Sequence, residues 1–167
     1  MKKGIGFYIG EIIFILVFLC FTYYMVNNCA YSKIDKKFVE DNNIAVNIVN
    51  NNSRVLEPMS DLYAMNNLDN TVINVVNYNS NNIEYKLFMR IKKDNKLDFS
   101  ELKIKVDDDI FRLNSKYDYE DDDYLYFDLA HKKINNENNV NFAMWLDEDV
   151  KDYNNYKFSY NFYVESI

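Results

Sequence analysis

Polar and apolar positions alternate over much of the chain after residue 43. In the clearest run, from Ile83 to Lys92, the odd positions are apolar and the even positions are mostly charged, with Phe88 as the exception. Leu102, Ile104 and Val106 alternate with charged residues in the same way. Because successive side chains of a strand point to opposite faces, this period of two predicts strands that bury one face.

The same reasoning predicts further strands between these two runs and on either side of them. They span Ile44 to Val49, Thr71 to Val76, Ile110 to Leu113, Tyr124 to Leu129, Val140 to Leu146 and Tyr156 to Val164. About seven or eight short strands separated by turns are typical of two packed antiparallel sheets. We therefore predict an all-β fold, an antiparallel β-sandwich, for residues 44–167.

Turns in this chain depend on asparagine, because only 3 Gly and 1 Pro are present. Asn pairs such as Asn81-Asn82 and Asn135-Asn136 separate the predicted strands, and Asn tolerates the backbone conformations that tight turns need. The 12 Phe and 15 Tyr predict an aromatic core. The run Tyr124 to Phe127 is apolar on both faces, which indicates either a tyrosine-rich contact surface or tyrosines that pair with cross-strand neighbours.

The N-terminal segment from Ile5 to Val26 is apolar apart from Glu11 and a few weakly polar residues. Its length matches the roughly 20 residues that cross a hydrocarbon core. Lys2 and Lys3 precede it, and the positive-inside rule then keeps the N-terminus in the cytoplasm. We predict a cytoplasmic N-terminus (1–4), a transmembrane signal anchor (5–26), a stalk (27–43) and an extracellular sandwich (44–167). A cleaved signal peptide is the alternative, although the segment ends without a good cleavage site.

Glu11 is unusual within such a segment, because an intramembrane carboxylate is costly and frequently functional. Together with Gly6 and Phe7, Glu11 resembles the start of type IV pilin-like precursors. That resemblance implies processing after Gly6 and assembly through Glu11. Without it, Glu11 would snorkel towards the cytoplasmic surface or stay protonated.

Charge and composition narrow the function classes. The formal net charge of -7 disfavours binding to nucleic acid, whose phosphates require a surplus of Lys and Arg. His131 is the single histidine, and the chain contains no H-E-x-x-H, G-x-S-x-G or Gly-rich phosphate loop. We therefore predict a protein that is not an enzyme and has no cofactor.

Acidic clusters between strands are the remaining chemical candidates. They are Asp107 to Asp109, Asp118 to Asp123, and Asp147, Glu148, Asp149 and Asp152. Oxygen ligands are those that Ca²⁺ prefers, and the last cluster places four carboxylates within a short loop. Charged, solvated turns are the commoner explanation of such clusters, and if an ion does bind, this last loop is where we expect the calcium site.

The stretch Asn74 to Leu87, and above all Phe142-Ala143-Met144-Trp145-Leu146-Asp147-Glu148-Asp149 followed by Lys157 to Phe162, resembles the TasA/camelysin-like exported proteins of Gram-positive bacteria. The resemblance implies a jelly-roll-like sandwich at the cell surface or in the matrix, with fibre formation in some members. It also implies two alternative functions, a released biofilm-matrix fibre protein and a metal-dependent hydrolase.

Taken together, the sequence predicts a non-enzymatic, single-pass protein of the cell membrane whose extracellular sandwich makes structural or adhesive contacts. The predicted partners are membrane lipid, through the N-terminal helix, and other surface or matrix proteins, including further copies of the chain. A type IV pilin-like minor subunit is the first alternative.

Overall fold

The structure is a computed structural model that describes residues 5–28, 31–34, 40–41, 44–49, 54–93, 98–151, 153 and 157–167. These residues form two helices, two short 3₁₀ helices and thirteen strands. The helices are α1 (Ile5–Asn28) and α2 (Asp61–Asn67). The 3₁₀ helices are Phe99–Glu101 and Leu113–Lys116.

The strands, in chain order, are β1 (Tyr31–Ile34), β2 (Glu40–Asp41), β3 (Ile44–Ile48), β4 (Arg54–Val55), β5 (Pro58–Met59), β6 (Thr71–Asn77), β7 (Ile83–Lys92), β8 (Leu102–Val106), β9 (Asp109–Arg112), β10 (Tyr117–Glu120), β11 (Tyr124–Ile134), β12 (Glu137–Asp147) and β13 (Lys157–Ser166).

The strands pair into two sheets, and most of the pairs are antiparallel. The front sheet has the order β10-β11-β7-β13-β1-β4, and the back sheet has the order β2-β3-β6-β12-β8-β9, with β5 beside β12. Two pairs are parallel, β1 with β13 and β5 with β12. The prediction of an all-β sandwich of two sheets is therefore confirmed.

The core lies between the sheets and is built by the alternation that the sequence shows. On β7, Tyr85, Leu87, Met89 and Ile91 are fully buried, and their neighbours on the same strand point to the outer face. β6 and β8 alternate in the same way, and aromatic residues of β11, β12 and β13 complete the cluster. The core is thus an interdigitation of two inward faces, as sheet packing requires.

A second, smaller cluster lies on the outer face of the back sheet. Trp145 and Ala143 point outwards from β12 and pack against Ala64 of α2. Ser60 caps this helix, since its Oγ accepts a hydrogen bond from the Tyr63 N–H at 3.4 Å. α2 therefore covers part of a sheet face that would otherwise expose a tryptophan.

Most predicted strands are found close to their predicted positions. β7 and β8 have the predicted bounds, β3 and β6 differ by one residue, and β11 and β12 are longer than expected. Pairing also begins earlier than expected, because β1 and β2 fall within the segment 27–43 that the sequence assigns to a stalk. The hydrogen-bonded sheet thus starts at Tyr31 and not at Ile44.

α1 spans the whole of the segment predicted as an anchor and ends two residues beyond it. Its side chains from Glu11 to Phe21 are exposed, and large apolar ones such as Phe14 and Leu19 are more than half exposed. Within the part of the chain that the structure describes, no helix is long and apolar enough to cross a membrane.

Candidate functional site

The predicted calcium loop begins at Asp147, where β12 ends. Asp147 is only 4% exposed, and its carboxylate faces two cations from neighbouring strands. Its Oδ2 lies 3.4 Å from Lys103 Nζ and forms an ion pair with the Arg112 guanidinium. Both contacts of Oδ2 are close enough to be ion pairs, but their geometry is not that of a hydrogen bond. Oδ1 accepts a hydrogen bond from the Asp149 N–H at 3.3 Å.

The surroundings of Asp147 and Lys103 favour the charged form of each side chain. Burial acts to raise the pKa of Asp147, but the Asp149 N–H and the charges of Lys103 and Arg112 outweigh it, so the pKa lies below its usual value. Lys103 also donates to Asp61 Oδ1 at 2.8 Å, and this bond raises the lysine pKa. Because Asp61 belongs to the first turn of α2, the cluster fastens that helix to the back sheet.

Two further members of the predicted calcium site, Glu148 and Asp149, follow Asp147 directly along the chain. Glu148 and Asp149 are exposed in the turn after β12, and Asp152 lies outside the described residues. Across the described ranges, no three His, Cys, Asp or Glu side chains converge as metal ligands. Calcium binding stays a prediction, and the contacts observed at Asp147 are with protein cations.

The residues of the predicted assembly motif lie along α1. Gly6 and Phe7 belong to its first turn, where the side chains are outside the described set. Glu11 follows one turn later and is exposed. α1 ends at Asn28 and β1 begins at Tyr31, so the helix does not continue as the long helix of a pilin would.

The tyrosines of the front sheet form a cluster on its outer face. Phe88, the exception in the alternation of β7, is 1% exposed there and packs edge-on against Tyr119 and Tyr126. Tyr119 and Tyr126 stack with ring centroids 4.3 Å apart, and Tyr163 lies across the cluster. These rings pair with one another, which is the cross-strand alternative that the sequence left open.

Polar groups surround this tyrosine cluster. The Arg90 guanidinium lies 4.8 Å from the centre of the Tyr124 ring and forms a hydrogen bond with Asn161 Oδ1. Burial, followed by the nearby Tyr126, raises the pKa of Tyr119 to about 12. The aromatic rings thus pack against one another in a small cluster on the outer face of the front sheet.

A groove of about 760 Å³ opens where the two sheets end at β9 and β10. Phe111 of β9 and Tyr117 of β10 lie on its walls, and the outer edge of β11 forms one side. The chain reaches this groove through a tight turn at Asp107, whose φ of 54° is in the left-handed region. Asp107 holds that turn by accepting a hydrogen bond from the Asn141 N–H at 3.0 Å.

Charged side chains of both signs line the groove. Four are aspartates, Asp107, Asp109, Asp118 and Asp128, and two are the lysines Lys116 and Lys132. His131 lies beside them. Lys132 forms an ion pair with Asp107, and the Lys116 ammonium lies 4.2 Å from the centre of the Phe111 ring. Two of the acidic clusters noted in the sequence are thus brought together here, which their separation along the chain does not reveal.

No protein-family profile matches the chain, and neither the curated proteins nor the solved structures contain a match to it. The resemblances to TasA/camelysin-like proteins and to pilin-like precursors accordingly stay predictions.

Proposed function

We propose that this chain is a non-enzymatic cell-surface protein, held in a membrane by α1, whose β-sandwich makes structural or adhesive protein contacts outside the cell. The observation that carries the proposal is the exposed, apolar surface of α1. A helix with apolar side chains on every side requires an apolar environment, which a lipid bilayer supplies.

The length of the anchor comes from the sequence. The described side chains of α1 run from Glu11 to Tyr23, and the apolar sequence continues on both sides, from Ile5 to Val26. That run matches the roughly 20 residues of a membrane span. Only residues 29 and 30 separate α1 from β1, so the sandwich would lie close to the membrane surface.

A jelly-roll-like winding of the sandwich is part of the proposal. It is supported by sheets that interleave strands distant in sequence, with β7 between β11 and β13 and with β12 between β6 and β8. The parallel pairing of β1 with β13 departs from a purely antiparallel arrangement.

Membrane fractionation tests the anchor. The full chain, expressed in a bacterium with a C-terminal tag, should remain in the membrane pellet after alkaline carbonate extraction. Replacing both Leu16 and Leu19 by lysine should release it, because each lysine at the centre of a span costs about 3 kcal/mol. The control is Leu62→Lys on α2, whose side chain is 72% exposed, and it should leave the protein in the pellet.

Intact mass of the extracted protein separates the alternatives. A full-length mass with carbonate-resistant membrane association supports the proposal. Loss of Met1 to Gly6 would instead favour the pilin-like subunit, and loss of the segment through about Ala30 would favour a released matrix protein. Recovery of full-length protein in the carbonate supernatant would contradict membrane anchoring.

A further inference from the structure

We propose that the open edge of β11, from Ala130 to Ile134, accepts an extended segment of another protein as an added strand of the front sheet, and that this segment carries lysine or arginine at alternate positions. This inference rests on the proposed function, which states that the sandwich makes protein contacts. The inference names the strand at which one such contact forms.

β11 has a strand partner along its whole length on one side and along a short part on the other. β7 pairs with it from Tyr124 to Ile134. β10 pairs only with Leu125 to Phe127, and the residues before it form the 3₁₀ helix Leu113–Lys116, which contacts β11 without pairing to it as a strand. Among the described residues, no strand lies against Ala130 to Ile134 on the β10 side. An edge of this kind is a template for a further strand.

The direction of the backbone N–H and C=O groups along the edge of β11 follows from the pairing of β7 with β13. The Ile167 N–H donates to the Glu84 C=O at 2.9 Å, so the backbone groups of Glu84 face β13. Lys133 is the partner of Glu84 on β11 and therefore directs its own N–H and C=O away from β7. The alternation places the backbone groups of His131 on the same open side. An incoming strand would meet these two residues.

The groove beside this edge has room for such a strand. Five residues of β11 span roughly 17 Å at the rise of an antiparallel strand. The groove of about 760 Å³ lies along the same edge and reaches Tyr117, the residue at which β10 begins. An added strand would continue the line of β10 along β11.

The charges that line the groove indicate which side chains the partner segment carries. Four aspartates line the groove, and lysines already pair with three of them. Lys132 pairs with Asp107, and Lys86 Nζ lies 3.7 Å from Asp118 Oδ2 and 3.9 Å from Asp128 Oδ2. Within the described residues, no ion pair engages Asp109. Alternate side chains of an added strand point into the groove, so lysine or arginine at every second position would meet these carboxylates. The net charge of -7 disfavours a second copy of the chain as the occupant.

The test uses the full chain in a neutral detergent and two capped peptides of about eight residues, one alternating lysine with valine and one alternating glutamate with valine. Fluorescence anisotropy measures binding, and amide resonances of labelled protein report where the peptide lies. We expect the lysine peptide to bind and to shift the amide signals of His131 and Lys133, and the glutamate peptide to bind at least about tenfold more weakly.

Two substitutions at one position separate the backbone from the side chain. His131→Pro removes an outward N–H, which an edge strand tolerates without loss of its pairing to β7, and should weaken the lysine peptide at least about tenfold. His131→Ala keeps the N–H and should bind within about twofold of the original chain. Asp109→Asn should weaken binding of the lysine peptide and reduce its dependence on salt. Circular dichroism confirms that each variant is folded.

The proposal is overturned if the lysine peptide does not bind, if both peptides bind equally, or if His131→Pro binds as well as His131→Ala. A dimer in sedimentation that His131→Pro abolishes would also overturn it and would assign the edge to a second copy. Peptide binding is measured in detergent, so these outcomes do not depend on membrane insertion. A failure of membrane insertion would be seen separately, in the carbonate extraction.

Discussion

At the scale of single residues, the side chain of Asp147 joins three elements of the back sheet. It lies at the end of β12, and its partners Lys103 and Arg112 come from β8 and β9. Lys103 extends the contact to Asp61 of α2. The side chains of Asp147 and Lys103 are 6% and 17% exposed, so water screens their mutual attraction little, whereas the half-exposed Arg112 is screened more.

Replacing Asp147 by Asn should therefore destabilise the protein. The neutral amide keeps the shape of the carboxylate but leaves Lys103 and Arg112 without its charge, and we expect a loss of about 2 kcal/mol in the free energy of unfolding. Urea denaturation in a neutral detergent measures it. Asp149→Asn is the matched control, because Asp149 is exposed in the same turn, and it should change stability by less than about 0.5 kcal/mol.

The pH dependence of stability, compared between Asp147→Asn and the original chain, gives a second measurement. The pKa of Asp147 is lowered in the folded chain, so the unfolded chain binds more protons in acid and stability falls as the pH falls. The contribution of Asp147 should be complete above the ordinary pKa of an aspartate, about 3.9, and should be lost progressively below it. If Asp147→Asn and the original chain lose stability in parallel below pH 4, the ion pairs do not contribute.

The sequence identifies Asp147 as a residue of interest but not its partners. Four carboxylates in one loop predict a cation, and the cations that the structure shows at Asp147 are side chains from β8 and β9. Lys103 and Arg112 are brought to Asp147 by strand pairing, which no local pattern encodes. The groove has the same origin, because Asp107 and Asp128 line one groove only once their strands are paired into sheets.

At the scale of elements, the outer face of the front sheet is stabilised by Phe88. This residue breaks the alternation of β7 and lies on the outer face, but it is 1% exposed beneath Tyr119, Tyr126 and Tyr163. The cluster joins β10 to β11, β7 and β13. Among the described residues, β10 is an edge strand that pairs with β11 alone.

Phe88→Ala should consequently behave as a core substitution although it lies on the outside of the sheet. We expect a loss of about 3 kcal/mol in the free energy of unfolding, because the alanine leaves a cavity under the tyrosine rings. The control is Tyr78→Ala, whose side chain is 66% exposed and which should cost less than about 0.5 kcal/mol. Equal losses in urea denaturation for both variants would show that the cluster contributes no more than a solvated surface.

Strands with a clear alternation could be predicted from the sequence, and short or highly charged elements could not. β7 and β8 have the predicted bounds because each alternates over its whole length. β10 is the sequence Tyr-Asp-Tyr-Glu with every residue exposed, and three of its four residues belong to the acidic run 118–123 that the sequence places between strands. α2 is only seven residues long, too short for the helical period to be recognised.

At the scale of the whole molecule, β1 determines where the sandwich begins. It lies between β13 and β4 in the front sheet, with four residue pairs to β13 and two to β4. The sequence predicts a stalk here because residues 32–43 are mixed in charge and show no periodicity. β1 has only four residues, which is the shortest run over which an alternation can be recognised, so its pairing with β13 leaves no clear local pattern.

Two truncations distinguish a strand from a stalk. A chain lacking residues 1–28 loses α1 but retains β1, and we expect it to keep the melting temperature of the sandwich in the full chain. A chain lacking residues 1–34 also loses β1, which leaves one edge of β13 unpaired and β4 without its partner. Unpaired strands lose hydrogen bonds and buried contacts worth several kcal/mol, so its melting temperature should be lower by about 10 °C or more. Thermal unfolding followed by circular dichroism measures the difference. If both truncated chains melt at the same temperature, residues 31–34 contribute nothing to the sandwich, and the stalk predicted from the sequence is the better description.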